Sequence, residues 1–213
     1  MALTSYTELR SSIRDWAERS DLSDALILDF VKMCESVFNN GESDGMGGYL
    51  VRPLRTRDME TTATLTMTSG AGSLPTDFLE AIKVKDPGDL TRDIKYAPPD
   101  WLDENFPTGQ DGSFPAYYTI IGSTLYCPID VSLTYYAAVP TITGNDGAYN
   151  WLLTKAPTAY LYGGLMQYGI YSKNPAAAAG YRSLMINALG GLNYADLNSR
   201  AGAMVRRAGM TAY

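Results

Sequence analysis

The chain has 213 residues, of which 46% are hydrophobic and 19% charged, a balance that supports a sizeable core and does not resemble a disordered segment. Its formal charge of -6 argues against a protein built to grip phosphate, because such proteins present a basic stripe that displaces counterions. Histidine is absent, which excludes His-dependent catalytic triads and HExxH metal sites, and Cys34 and Cys127 lack the paired spacing of a zinc or redox motif, so both read as buried free thiols.

The N-terminal stretch MALTSYTELR has no apolar signal core, and no apolar run approaches the ~20 residues of a membrane span, which predicts a protein made and assembled in a cytoplasm. Residues 5–19 are predicted to be helical. Ser5 and Glu8 have the spacing of a capping box, and Tyr6, Leu9, Ile13, Trp16 and Ala17 recur at helical intervals, with Arg10, Arg14, Asp15 and Glu18 on the outer face. After Ser20-Asp21-Leu22-Ser23, a second stripe of Leu26, Phe30, Met33, Cys34 and Val37 predicts another helix, antiparallel to the first across a tight turn. Neither is long enough to be stable alone, so both need a partner surface. The stretch NNGESDGMGG at 39–48 is rich in glycine, whose backbone is costly to fix, and is expected to be an exposed, mobile loop.

From Glu60 the period changes to two: Ala63, Leu65 and Met67 alternate with threonines, as in a half-buried strand. Further strands are predicted at 81–85, 94–96, 117–121, 124–127 and 131–139, with Gly122-Ser123 as a two-residue hairpin turn. Residues 99–104 read as a turn or two of helix, with Pro99 in the first turn and Trp101 as a core anchor. Past Asn145-Asp146-Gly147 the helical period returns, as Leu161, Leu165, Tyr168 and Tyr171 after Pro157, and as Tyr181, Leu184, Met185, Ala188 and Leu192 after Pro175. Beyond Asp196 no acidic side chain occurs, while Arg200, Arg206 and Arg207 stand among Ala, Gly and Met, a weakly structured basic tail. The predicted class is α+β: a discontinuous helical bundle from 1–59 and 145–199, an inserted small β-rich lobe at 60–144, and an extended C-terminal tail at 200–213.

No constellation in this chain carries a catalytic or ligand-binding reading over the plainer alternative. Leu74 to Phe78 (LPTDF) reads as a structural turn in which Leu74 and Phe78 anchor the lobe and Asp77 accepts backbone hydrogen bonds. Asp100, Asp103 and Glu104 are the best paired carboxylates, as a glycosidase would need, but they read as a solvated acidic turn. Glu42-Ser43-Asp44-Gly45 and Asn145-Asp146-Gly147 lack the spacing of a calcium loop, and Gly45, Gly47 and Gly48 form no phosphate cradle, so neither a metal nor a cofactor is expected. The 16 tyrosines divide between core filling and interfaces, where their rigid area and polar tip are useful.

An ordered series of segments resembles the podovirus-type tailed-phage head-to-tail adaptor (connector) family. It comprises SYTELRSSIRDWAERSD at 5–21, PLRTRDME at 53–60, SLPTDFLEAIKV at 73–84, AYYTIIGSTLYCP at 116–128, LTYYAAVPTIT at 133–143 and YNWLLTKAPTAYLYGGL at 149–165. The glycine-rich stretch 41–48 departs from it. The resemblance implies a helical core with a β lobe, a twelve-membered ring bound to the portal protein, and a C-terminal segment reaching into portal crevices. Tail or nozzle proteins would then join the ring.

Transferred to this sequence, that segment is Met204, Val205, Arg206, Arg207, Met210 and Tyr213, with arginines for acidic portal groups and the remainder for apolar pockets. The expected function is therefore a structural virion protein of the neck, not an enzyme, whose ring lets DNA pass without sequence-specific binding and without a membrane partner. Two rival readings are a nozzle or head-completion ring protein and a connector with cell-wall hydrolase activity.

Overall fold

The computed structural model describes residues 3–208, with side chains through 196. Its described residues form six α-helices and nine β-strands in the order helix, strand, helix, so the α+β expectation holds. The chain divides into two compact units, 1–58 with 139–213, and 59–138.

In the helical unit, α1 (Tyr6–Ala17) begins at Ser5, whose side chain accepts the Glu8 N–H. The Glu8 carboxylate returns the bond one residue earlier than a capping box would, to the N–H and hydroxyl of Thr4 at 2.6 and 2.8 Å. Tyr6, Leu9 and Ile13 are buried as expected, but Trp16 is half exposed, lying edge-on to Tyr162. Arg14 closes the link that follows, donating to the Leu22 carbonyl and pairing with Asp24. In α2 (Asp24–Asn40), capped by Ser23, the buried face is Ile27, Phe30, Val31, Cys34, Glu35 and Phe38. The expected stripe is thus rotated: Met33 faces solvent, because Ile27, Val31 and Phe38 bring more apolar area to one side than Leu26, Met33 and Val37 do.

The segment expected as a mobile loop is instead a two-stranded hairpin of β1 (Glu42–Ser43) and β2 (Tyr49–Val51). Asp44 Oδ1 accepts the N–H groups of Met46 and Gly48, bonds that the glycine count did not reveal.

The other unit is a mixed seven-stranded sheet in the order β3-β9-β5-β6-β7-β8-β4. Its strands are β3 (Glu60–Leu65), β4 (Ala71–Ser73), β5 (Phe78–Lys85), β6 (Asp93–Tyr96), β7 (Tyr117–Ile121), β8 (Thr124–Tyr126) and β9 (Val131–Ala137). β6 and β7 run parallel and every other pair antiparallel. β9 alternates Val131, Leu133 and Tyr135 into a core shared with Val84, Ile94, Ala116 and Leu125. Gly122, at φ 61, and Ser123 turn β7 into β8 as predicted.

Asp77 differs from expectation, since its carboxylate accepts the Tyr135 hydroxyl at 3.0 Å rather than backbone N–H groups. Together with burial, that contact pushes the Tyr135 phenol up to about 12. Trp101, on α3 (Pro99–Asn105), is 39% exposed and is no core anchor. It lies in a surface cluster with Phe106 and Tyr117, its ring centroid 5.0 Å from that of Tyr117.

Candidate functional site

The residues with the most to say about function lie where the terminal helices meet. After the sheet the chain re-enters the helical unit through 139–150, held to α2 by Val139 N–H donating to Asn39 Oδ1 and by Ile142 N–H donating to Glu35 Oε1, at 2.9 and 2.8 Å. Asn150 then caps α4 (Trp151–Lys155), accepting the Leu153 N–H at 2.8 Å. Pro157 opens α5 (Pro157–Tyr171) and Pro175 opens α6 (Pro175–Ala208), as proline at a first helical position should.

Helices α1, α2, α4 and α6 all pack on α5. Its sequence explains why: it is apolar on nearly every side, and Gly163, Gly164 and Gly169 remove side chains where neighbours press closest. A Cβ on Gly163 would stand 2.8 Å from Cys34 Sγ, one on Gly164 2.7 Å from Ile13 Cδ1, and one on Gly169 2.9 Å from the Ala178 backbone. Three glycines thus set the approach of α2, α1 and α6 in turn.

Within this packing lies a polar lock. Glu35, only 3% exposed, accepts from the Tyr160 hydroxyl at 3.0 Å as well as from Ile142. Tyr160 in turn accepts from Asn150 Nδ2 at 2.6 Å, and the same amide reaches the Pro140 carbonyl. Burial drives the Glu35 carboxyl above the ordinary carboxylate range, against the opposing pull of Ile142, Tyr160 and Thr141. Burial and the neighbouring Glu35 raise the Tyr160 phenol as well. The lock joins α2, the return segment, α4 and α5, so its chemistry is positional rather than catalytic.

The sequence reading missed Glu35, although the signal was present: it sits four residues after Val31 and one after Cys34, on the apolar face of α2. Large apolar side chains on this unit stay uncovered, among them Met33, Tyr149, Ile170, Tyr171 and Tyr194. Tyr6 and Tyr160 fill the core as expected of part of the tyrosines, while Tyr149, Tyr171 and Tyr194 are exposed.

All three residues of the acidic set lie on α3. Asp103 lines a cleft of about 530 Å³ in the sheet unit, with Asp111, Phe106, Thr119 and Tyr126, whereas Asp100 and Glu104 do not line it. The Ser113 N–H holds Asp111 below its ordinary range. The two cysteines are free and buried, and burial raises both thiols. Asp146 accepts from Thr7 and Arg10, and the described residues contain no cluster able to hold a metal ion.

Of the residues assigned to portal binding, Met204, Val205, Arg206 and Arg207 fall within the bounds of α6, with side chains outside the described ones, and Met210 and Tyr213 lie outside the described residues. No described helix is long and apolar enough to cross a membrane.

A comparison with curated proteins returned no match. The family model of the SU10 adaptor protein matches residues 4–208, nearly the whole chain, and the chain therefore belongs to this family of phage head-to-tail adaptor proteins, structural components of the virion.

Proposed function

We propose that this protein is the ring-forming joint of a phage neck: twelve copies close beneath the portal, tail or nozzle proteins join from the other side, and DNA passes through the lumen. The observation that carries this reading is the helical unit, a body tightened by Gly163, Gly164 and Gly169, locked by Glu35, Tyr160 and Asn150, yet bearing exposed Met33, Ile170 and Tyr171. A rigid body with uncovered apolar side chains is what side-by-side association needs. Many modest contacts repeated around a closed ring then give a strong joint by multivalency. The net charge of -6 suits a lumen that does not trap phosphate.

The protein is structural and not catalytic in this reading, needs no cofactor, and is assembled in the host cytoplasm. The basic segment with Arg206 and Arg207 docks the ring by pairing with acidic portal groups, helped by Met204, Val205, Met210 and Tyr213. Sedimentation with purified portal rings tests both parts. The full chain should load the rings, and removal of residues 206–213 should abolish loading. Raised salt should weaken docking more than contacts between copies, because it screens exposed ion pairs and leaves apolar packing in place. Undiminished loading by the truncated chain refutes the docking role.

A further inference from the structure

The hairpin of β1 and β2 exposes three large apolar side chains beside the polar Glu42, Ser43 and Asp44. Met46 at its tip is 95% exposed, Tyr49 57% and Leu50 47%. Consecutive strand residues point to opposite faces, so Tyr49 covers one face, Leu50 the other, and Met46 caps the end. The tip is built rather than slack. Asp44 Oδ1 accepts from Met46 and Gly48 at 2.7 and 2.9 Å, Gly45 and Gly47 take φ of 76° and 92°, and Arg182 on α6 grips Glu42 at the base with bonds of 2.8 and 3.1 Å. An ordered finger with an apolar tip and an apolar side chain on each face fits a groove better than a flat surface.

The same helical unit holds such a groove. At the passage from α5 to α6, Gly169, Ile170, Pro175, Ala178 and Ala179 line a concavity of about 400 Å³, whose only charged lining residues are Lys173 and Arg182. Arg182 is occupied by Glu42, while Lys173 makes no ion pair among the described residues. Between 42 and 51 the finger contains no Lys or Arg, and the N–H groups of Met46 and Gly48 keep the Asp44 carboxyl ionised by lowering its pKa. A carboxylate on the finger that meets no cation of its own copy among the described residues therefore complements an ammonium on the groove. The finger does not fill its own groove, because Arg182 holds its base there while Met46 remains in solvent.

We propose that the finger of one copy seats in the α5–α6 groove of a second copy, with Met46 among Ile170, Pro175 and Ala179 and with Asp44 facing Lys173. The finger and groove are different surfaces, which permits a heterologous contact that propagates around a ring, and the ring reading selects that arrangement over a reciprocal dimer. This inference rests on the ring reading above and names the elements that close the ring.

The test uses the full chain loaded on purified portal rings. Native thiols do not interfere, because Cys34 and Cys127 are buried. Oxidation of the chain carrying both Met46→Cys and Ala179→Cys should give a ladder of covalent multimers, and neither single substitution should. Met46→Asp should reduce loaded copies at least tenfold, while Met46→Leu should load normally. A photo-crosslinking phenylalanine analogue at position 46 should yield an adduct to a second copy.

An adduct to portal or tail protein instead, absence of the ladder from loaded rings, or full loading by Met46→Asp would each overturn the finger while leaving the ring standing. Failure of the unsubstituted chain to load at all overturns the ring reading and the finger with it.

Discussion

Glu35 shows how one residue holds several elements in place. Its folded pKa lies above the unfolded one, so the folded state binds the proton more tightly. The contribution is therefore full below the unfolded carboxylate range and is lost as pH rises through the folded pKa. Glu35→Gln removes that dependence, so thermal unfolding of the variant should rise above that of the native chain at neutral pH and converge with it in acid. Equal shifts at both pH values would deny burial as the cause.

Asn150→Ala removes a helix cap and the donor to Tyr160 together, and should cost roughly 2 kcal/mol in denaturant unfolding. Gly163→Leu drives a side chain into Cys34 and should cost about 3 kcal/mol, whereas Gly190→Ala, with open space around it, should be neutral or mildly stabilising. At this scale little was legible in the sequence. A glycine run in a helix says that something approaches closely but not what, and a lone glutamate on an apolar face signals burial but not its partners, which lie 107 and 125 residues away.

At the scale of elements, legibility followed the length and regularity of the pattern. The first helix, strand β9 and the Gly122-Ser123 turn were read correctly, because period and turn chemistry are local properties, whereas β5 begins at Phe78, three residues before its expected start and inside the expected turn. β4 was missed: Ala71-Gly72-Ser73 is three residues long, has no period to detect, and is a strand only because β8 pairs with it. α4 was missed for the same reason, being five residues defined by its Asn150 cap. The buried face of α2, the side richer in apolar area, packs on α5, a contact distant in sequence.

The hairpin failed differently, since its glycine count signalled mobility while a single carboxylate ordered it. Asp44→Ala should therefore accelerate hydrogen exchange at the Met46 and Gly48 amides several-fold, in line with the loss of about 1 kcal/mol per bond, and leave exchange in α5 unchanged. In the sheet, Leu133→Ala should cost about 3 kcal/mol, because Leu133 is fully buried on the strand that pairs with both β3 and β5.

For the whole molecule, family membership and α+β class were legible from an ordered series of weak segments, and the match over residues 4–208 bears out that resemblance. Which apolar residues stay exposed was not legible, because Tyr171 and Ile170 resemble core residues until burial separates them. A zymogram on bacterial cell walls should show no clearing, since Asp103 lines a cleft without Asp100 or Glu104. A cleared band abolished by Asp103→Asn would reverse that expectation.

The most direct measurement of the central claim is cryo-electron microscopy of the isolated chain mixed with portal rings. The account predicts a closed ring of copies beneath the portal, joined side by side through their helical units around an open lumen. Portals that remain bare, or that carry isolated copies without contact between neighbours, would contradict it.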